Sequence, residues 1–144
     1  MSPLRHLLVA QAYDTRRSGD RMGALQLYLD AAEALKGPGD TVARASAIRH
    51  AADLYMELDQ AVDAGQKYKE AWALYQTIDP APDLDLANCR RPMALWHEVQ
   101  GQRTEAAVMW REARQWYEKA AVSTGLDMQP AFDECDRHLG ALEA

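Results

Sequence analysis

Residues 51–75 read AADLYMELDQAVDAGQKYKEAWALY, a stretch that predicts two antiparallel helices joined by a tight turn at Leu58-Asp59-Gln60. Small residues at Ala52, Ala64 and Ala71 alternate with Tyr55, Tyr68 and Tyr75. In a helical hairpin, alanine lets two backbones approach closely, and an aromatic three or four residues away fills the gap beside it. One such hairpin cannot bury its apolar face alone, so the same unit is expected elsewhere in the chain.

It recurs on both sides. The first copy has Gly19-Asp20, Ala24, Tyr28 and Ala31; the second has Asp59-Gln60, Ala64, Tyr68 and Ala71; the third has Gly101-Gln102, Ala106, Trp110 and Ala113. Each copy keeps a turn residue, an alanine five later, an aromatic nine later and an alanine twelve later. A small residue stands seven before the turn in every copy: Ala12, Ala52 and Ala94. Ala24, Ala64 and Ala106 are 40 and 42 residues apart, a period expected of helical solenoids.

This pattern resembles the tetratricopeptide repeat (TPR) over roughly residues 4–122. The resemblance implies an all-α, right-handed α-solenoid of three TPR-like hairpins, at about 4–38, 40–79 and 83–123, with a capping helix at 127–142, all in one domain spanning 1–144. The period is longer than the usual ~34 residues and is similar to that of kinesin-light-chain-like repeats. Tyr55 has Thr15 and His97 as its counterparts, and Pro92 falls inside the first helix of repeat three. HEAT-type repeats have a comparable period, but their Pro/Asp/Arg pattern finds no match.

Punctuation along the chain agrees with this division. Ser2-Pro3 is a helix start. Gly19 ends the first helix, and Asp20 caps a second running to Lys36. Gly37-Pro38-Gly39 and Asp79-Pro80-Ala81-Pro82 are breaks, with Asp40 capping the helix between them. Pro92 should cost about 3 kcal/mol in a helix interior, so a separate first turn or a kink is expected there. Gly125 ends the sixth helix. The last one carries Met128, Phe132, Cys135, Leu139 and Leu142 on one stripe and Asp133, Glu134, Asp136 and Arg137 off it, as an end cap requires.

Composition narrows the function. The 144 residues are 48% apolar and 26% charged, as in an ordinary globular domain. A net charge of −6 speaks against nucleic-acid binding. No apolar run approaches membrane-spanning length, and Leu7-Leu8-Val9-Ala10 is too brief for a signal peptide, so no membrane partner and a cytoplasmic location are expected. Cys89 and Cys135 form no motif and read as reduced thiols in the core, although a bond between them is not excluded by sequence.

No catalytic constellation stands out, and neither an enzyme nor a cofactor is expected. His97-Glu98 opens like the HExxH zinc motif, but Gly101 replaces the second histidine, so no metal is expected. No phosphate loop or recognisable nucleophile context is present.

The TPR resemblance assigns the groove-lining positions to the first helix of each repeat. These are His6, Val9, Tyr13, Arg16 and Arg17; then Ser46, Arg49, Asp53, Met56 and Glu57; then Asn88, Arg91, Leu95, Glu98 and Val99. The carboxylate clamp of chaperone-binding members is absent, because its positions hold Val9, Tyr13, His50, Asn88 and Pro92. Guanidinium groups at Arg16, Arg17, Arg49 and Arg91 suit an acidic peptide or helix. They equally suit pairing with Asp14, Asp53, Glu57 and Glu98 on neighbouring turns. Trp110 occupies the repeat's packing position, whereas an exposed Trp96 or Trp116 would mark an interface. The expected function is a non-enzymatic interaction module that binds a partner's peptide or helix. A self-associating scaffold, a homodimer through the open end bearing Leu4, Leu7 and Leu8, is the competing class.

Overall fold

The computed structural model describes the backbone of residues 3–144 and side chains from residue 6 onward. The Ser2 cap and the Leu4 side chain lie outside the described residues. Seven helices and no strands are formed among the described residues. They are α1 (Pro3–Arg17), α2 (Arg21–Ala34), α3 (Thr41–Glu57), α4 (Ala61–Gln76), α5 (Asp83–Val99), α6 (Arg103–Thr124) and α7 (Gln129–Leu142). The chain divides into two compact units, 1–78 with α1–α4 and 79–144 with α5–α7. In the first, α1 packs on α2, α2 on α3 and α3 on α4; in the second, α5 packs on α6 and α6 on α7.

The repeat signature is the core. Ala12, Ala52 and Ala94, then Ala24, Ala64 and Ala106, then Ala31, Ala71 and Ala113 are each 0% exposed, and Tyr28, Tyr68 and Trp110 are at most 3% exposed. Methyl groups at these places bring neighbouring helices together, and the aromatic closes the space between them.

The hairpin turns are equally repetitive. Gly19, Asp59 and Gly101 all adopt the left-handed region, with φ of 94°, 59° and 73°. In each, the N–H of the next residue reaches back five positions: Asp20 to Thr15 O at 3.2 Å, Gln60 to Tyr55 O at 2.8 Å, Gln102 to His97 O at 2.9 Å. This six-to-one bond, with a left-handed residue beside it, is the Schellman arrangement that satisfies the last carbonyls of a helix. Glycine is the favoured occupant because it has no Cβ to meet the carbonyl, and Asp59 is the one costlier choice. Asp20 caps α2 by accepting from Gly23 N at 2.9 Å. Asp40 stands at the α3 N-cap, but its carboxylate accepts from Gly37 N at 3.0 Å instead.

Pro92 does not divide its helix. α5 runs unbroken from Asp83 to Val99 with Pro92 buried inside it, so of the two expected outcomes, a separate first turn or a kink, the separate first turn is not formed. Proline has no N–H for the carbonyl of Asn88. Burial of Leu86, Ala87, Cys89, Met93 and Ala94 on either side supplies packing that offsets that loss.

Gly101→Ala should lower stability by about 1 kcal/mol in urea unfolding. No atom lies within 4 Å of a Cβ built there, so the loss would come from backbone conformation alone.

Candidate functional site

The positions assigned to the groove fall on α1, α3 and α5, and the two units treat them differently. In the first unit Arg16 donates to Glu57 Oε1 at 3.1 Å, joining α1 to α3. Arg21 approaches the same carboxylate at 3.7 Å. Arg49 pairs with Asp53 one turn on, at 3.7 Å. Asp53 also accepts a 2.5 Å bond from the Tyr68 hydroxyl of α4. Burial raises the Asp53 pKa, and the Tyr68 bond and Arg49 work against that rise. Arg49 is thus paired within its own helix, and Arg16 across to α3. His6, Tyr13 and Arg17 are exposed on α1, with the Arg17 guanidinium 5.8 Å from the Tyr13 ring centre. Met56 is half-buried on α3.

In the second unit α7 meets the groove positions of α5. Arg91 forks onto Glu134, at 2.5 and 2.9 Å, rather than onto Glu98. Glu98 Oε2 instead accepts from Trp110 Nε1 at 2.6 Å and lies 2.9 Å from His138 Nδ1. A carboxylate only accepts, so this geometry puts the His138 proton on Nδ1. Asn88 Oδ1 accepts from the Tyr117 hydroxyl at 2.8 Å. Leu95 packs against the core formed by Ala87, Ala94, Trp110, Ala113, Tyr117, Met128 and Cys135. Asn88, Arg91, Leu95 and Glu98 are thus engaged within the unit. The α7 stripe of Met128, Phe132, Cys135, Leu139 and Leu142 joins that core.

Two histidines were passed over as site residues although they hold helix seams. His50 of α3 stacks on Tyr28 of α2, with centroids 5.0 Å apart and planes 20° from parallel. His138 of α7 stacks on Trp110 of α6 at 4.2 Å and 20°. Tyr28 and Trp110 are the same repeat position, and each imidazole stands two residues before a small one, Ala52 or Gly140. That coincidence was present in the sequence and marks α7 as the counterpart of a first repeat helix. His97 lies in the last turn of α5, with Nδ1 2.6 Å from Gln102 Oε1 and its ring edge-on to Trp96. Trp72, Trp96 and Trp116 are half-buried.

The remaining chemistry is sparse. Among the described residues no group of three or more His, Cys, Asp or Glu side chains is arranged to hold a metal ion, and no helix is long and apolar enough to cross a membrane. Cys89 and Cys135 are buried, and neither forms a disulfide. Burial pushes the Cys135 thiol up to about 11, which leaves little of the reactive thiolate.

No protein-family model and no curated protein matches the chain. A solved structure does: the crystal structure of BtubC (BKLC) from P. vanneervenii superposes with a TM-score of 0.78 at 19% identity, over 96% of this chain. The fold is that of a TPR-like helical-repeat protein. This chain spans 55% of the length of the BtubC chain, so the likeness carries the fold and not the larger protein's role.

His50 gives the first unit a definite pH dependence. Burial, reinforced by Arg49 and Arg16, lowers its pKa from 6.5 to about 4. Below pH 6.5 the unfolded chain takes up a proton that the folded one refuses, so stability is full above 6.5 and falls toward pH 4. His50→Phe keeps a ring against Tyr28 and removes the titration. Between pH 7 and pH 5 it should lose less stability than the wild type by on the order of 2 kcal/mol in urea unfolding.

Proposed function

We propose that this chain is a non-enzymatic protein–protein interaction module that binds a peptide or helix of a partner on the α1–α3 face of its first unit. Its repeats read as long-period TPRs similar to those of kinesin-light-chain-like proteins, and helical repeats of this class present extended surfaces to ligands. One observation carries the choice of face. Asn88, Arg91, Leu95 and Glu98 of α5 are engaged by α6 and α7, whereas α1 presents Tyr13, 55% exposed, with Arg17 beside it. An exposed tyrosine next to a guanidinium combines apolar area with a charge-assisted donor, and both residue types are enriched at interface hot spots. The ligand matching it is an acidic peptide with an apolar side chain for Tyr13. A cytoplasmic location fits this role.

Tyr13→Ala combined with Arg17→Glu tests the reading, since both side chains are exposed and the fold should be kept. A partner captured from lysate by the wild type, then titrated calorimetrically, should bind the double variant at least about tenfold more weakly. Unchanged affinity would remove the α1 face from the function. Leu7, also 55% exposed on α1, favours the second reading, self-association into a homodimer. Sedimentation as a monomer at high micromolar concentration would rule that out.

A further inference from the structure

The second unit holds α7 by a device whose parts come from three helices. Cys135 is fully buried, so it marks the side of α7 that faces the core. Successive helical residues turn about 100°, so Glu134 and Asp136 fall on opposite flanks of that side. Each meets a guanidinium on a different helix. Glu134 receives the Arg91 fork from α5, and Asp136 receives the Arg114 fork from α6 at 2.8 and 3.2 Å. Arg114 also lies over the Phe132 ring, 4.8 Å from its centre. Unit one has no counterpart: the equivalent α3 position is buried Ala47, flanked by Ser46 and Ile48.

We propose that Arg91 and Arg114 form a two-sided clamp for an amphipathic helix bearing an acidic–small–acidic triplet, and that α7 is its exchangeable occupant in cis. The ligand in trans is a partner's helix with the α7 pattern: an aromatic, then the triplet two residues on, then leucine three residues after it. In α7 these are Phe132, Glu134-Cys135-Asp136 and Leu139. The clamp is independent of the α1–α3 face.

Charge complementarity identifies the occupant, and the burial pattern makes it exchangeable. Cys135 is the one buried residue within α7, against six on α5 and six on α6. Rim ion pairs are weakened by salt, and a helix with little buried area is where local opening occurs first. Release of α7 withdraws Phe132, Cys135 and Leu139 from the core they share with Ala94, Trp110, Ala113 and Tyr117. An apolar strip flanked by two arginines is then open to a helix of matching sequence.

The test uses the full-length protein and a fluorescent synthetic peptide of residues 127–144. In the Cys135→Asp variant a charge in the seam expels α7 while leaving α5 and α6 unaltered. By anisotropy the peptide should bind this variant at least about tenfold more tightly than the wild type, whose clamp is filled. Adding Arg91→Ala and Arg114→Ala, or replacing Glu134 and Asp136 in the peptide by Gln and Asn, should cost at least about tenfold. Equal affinity for wild type and Cys135→Asp, or indifference to the two arginines, would overturn the proposal. Should Cys135→Asp unfold the unit, hydrogen exchange on the wild type decides. The α7 amides should open before those of α5 and α6, and faster in 1 M salt. Exchange of all three helices in one step would overturn it.

Discussion

Close approach of helices through buried alanine is the constraint on which this molecule depends. Three equivalent sets of alanines are wholly buried, and the aromatic at each set fills the space beside them. Such a seam has no room for an added methylene and no substitute for the ring. The same seam recurs in each hairpin, at Ala12–Ala24–Ala31, Ala52–Ala64–Ala71 and Ala94–Ala106–Ala113. The left-handed turn residues Gly19, Asp59 and Gly101 fit the same geometry, since each reverses the chain within three residues while closing the helix end.

That packing determines which side chains are left for binding. The first helix of each hairpin turns its small residues inward and a polar row to another side. On α3 the row is consumed by Arg49, Asp53 and Glu57 within the first unit. On α5 it is consumed by Glu134 and His138 of α7. α1 is the described first helix whose row stays exposed, at His6, Tyr13 and Arg17. The polar chemistry of the described residues thus serves largely to join helices, and α7 is held both by side-chain ions and by its apolar stripe in the core.

The fold was legible in the sequence because its signals are local. Alanine, aromatic and turn residues sit within twenty positions of one another, and the 4-3-4-3 stripe of α7 declares its inward face. Partner choice was not legible. Arg91 and Glu134 are 43 residues apart, and nothing near Arg91 in sequence favours Glu134 over Glu98, two turns on. The stacks of His50 and His138 were half legible, as equal spacing before a small residue in two helices. The unbroken course of α5 through Pro92 depends on tertiary burial, which overrides the local penalty. Asp59 in the left-handed region was visible only by alignment with two glycines.

The most direct measurement is the stability of Ala64→Leu beside that of Ala73→Leu. Both residues lie on α4, Ala64 wholly buried and Ala73 exposed, and leucine is a good helix former, so intrinsic propensity affects both alike. Urea unfolding should show Ala64→Leu destabilised by about 1–3 kcal/mol and Ala73→Leu nearly unchanged. Equal stability of the two variants would contradict the alanine seam as the basis of the fold.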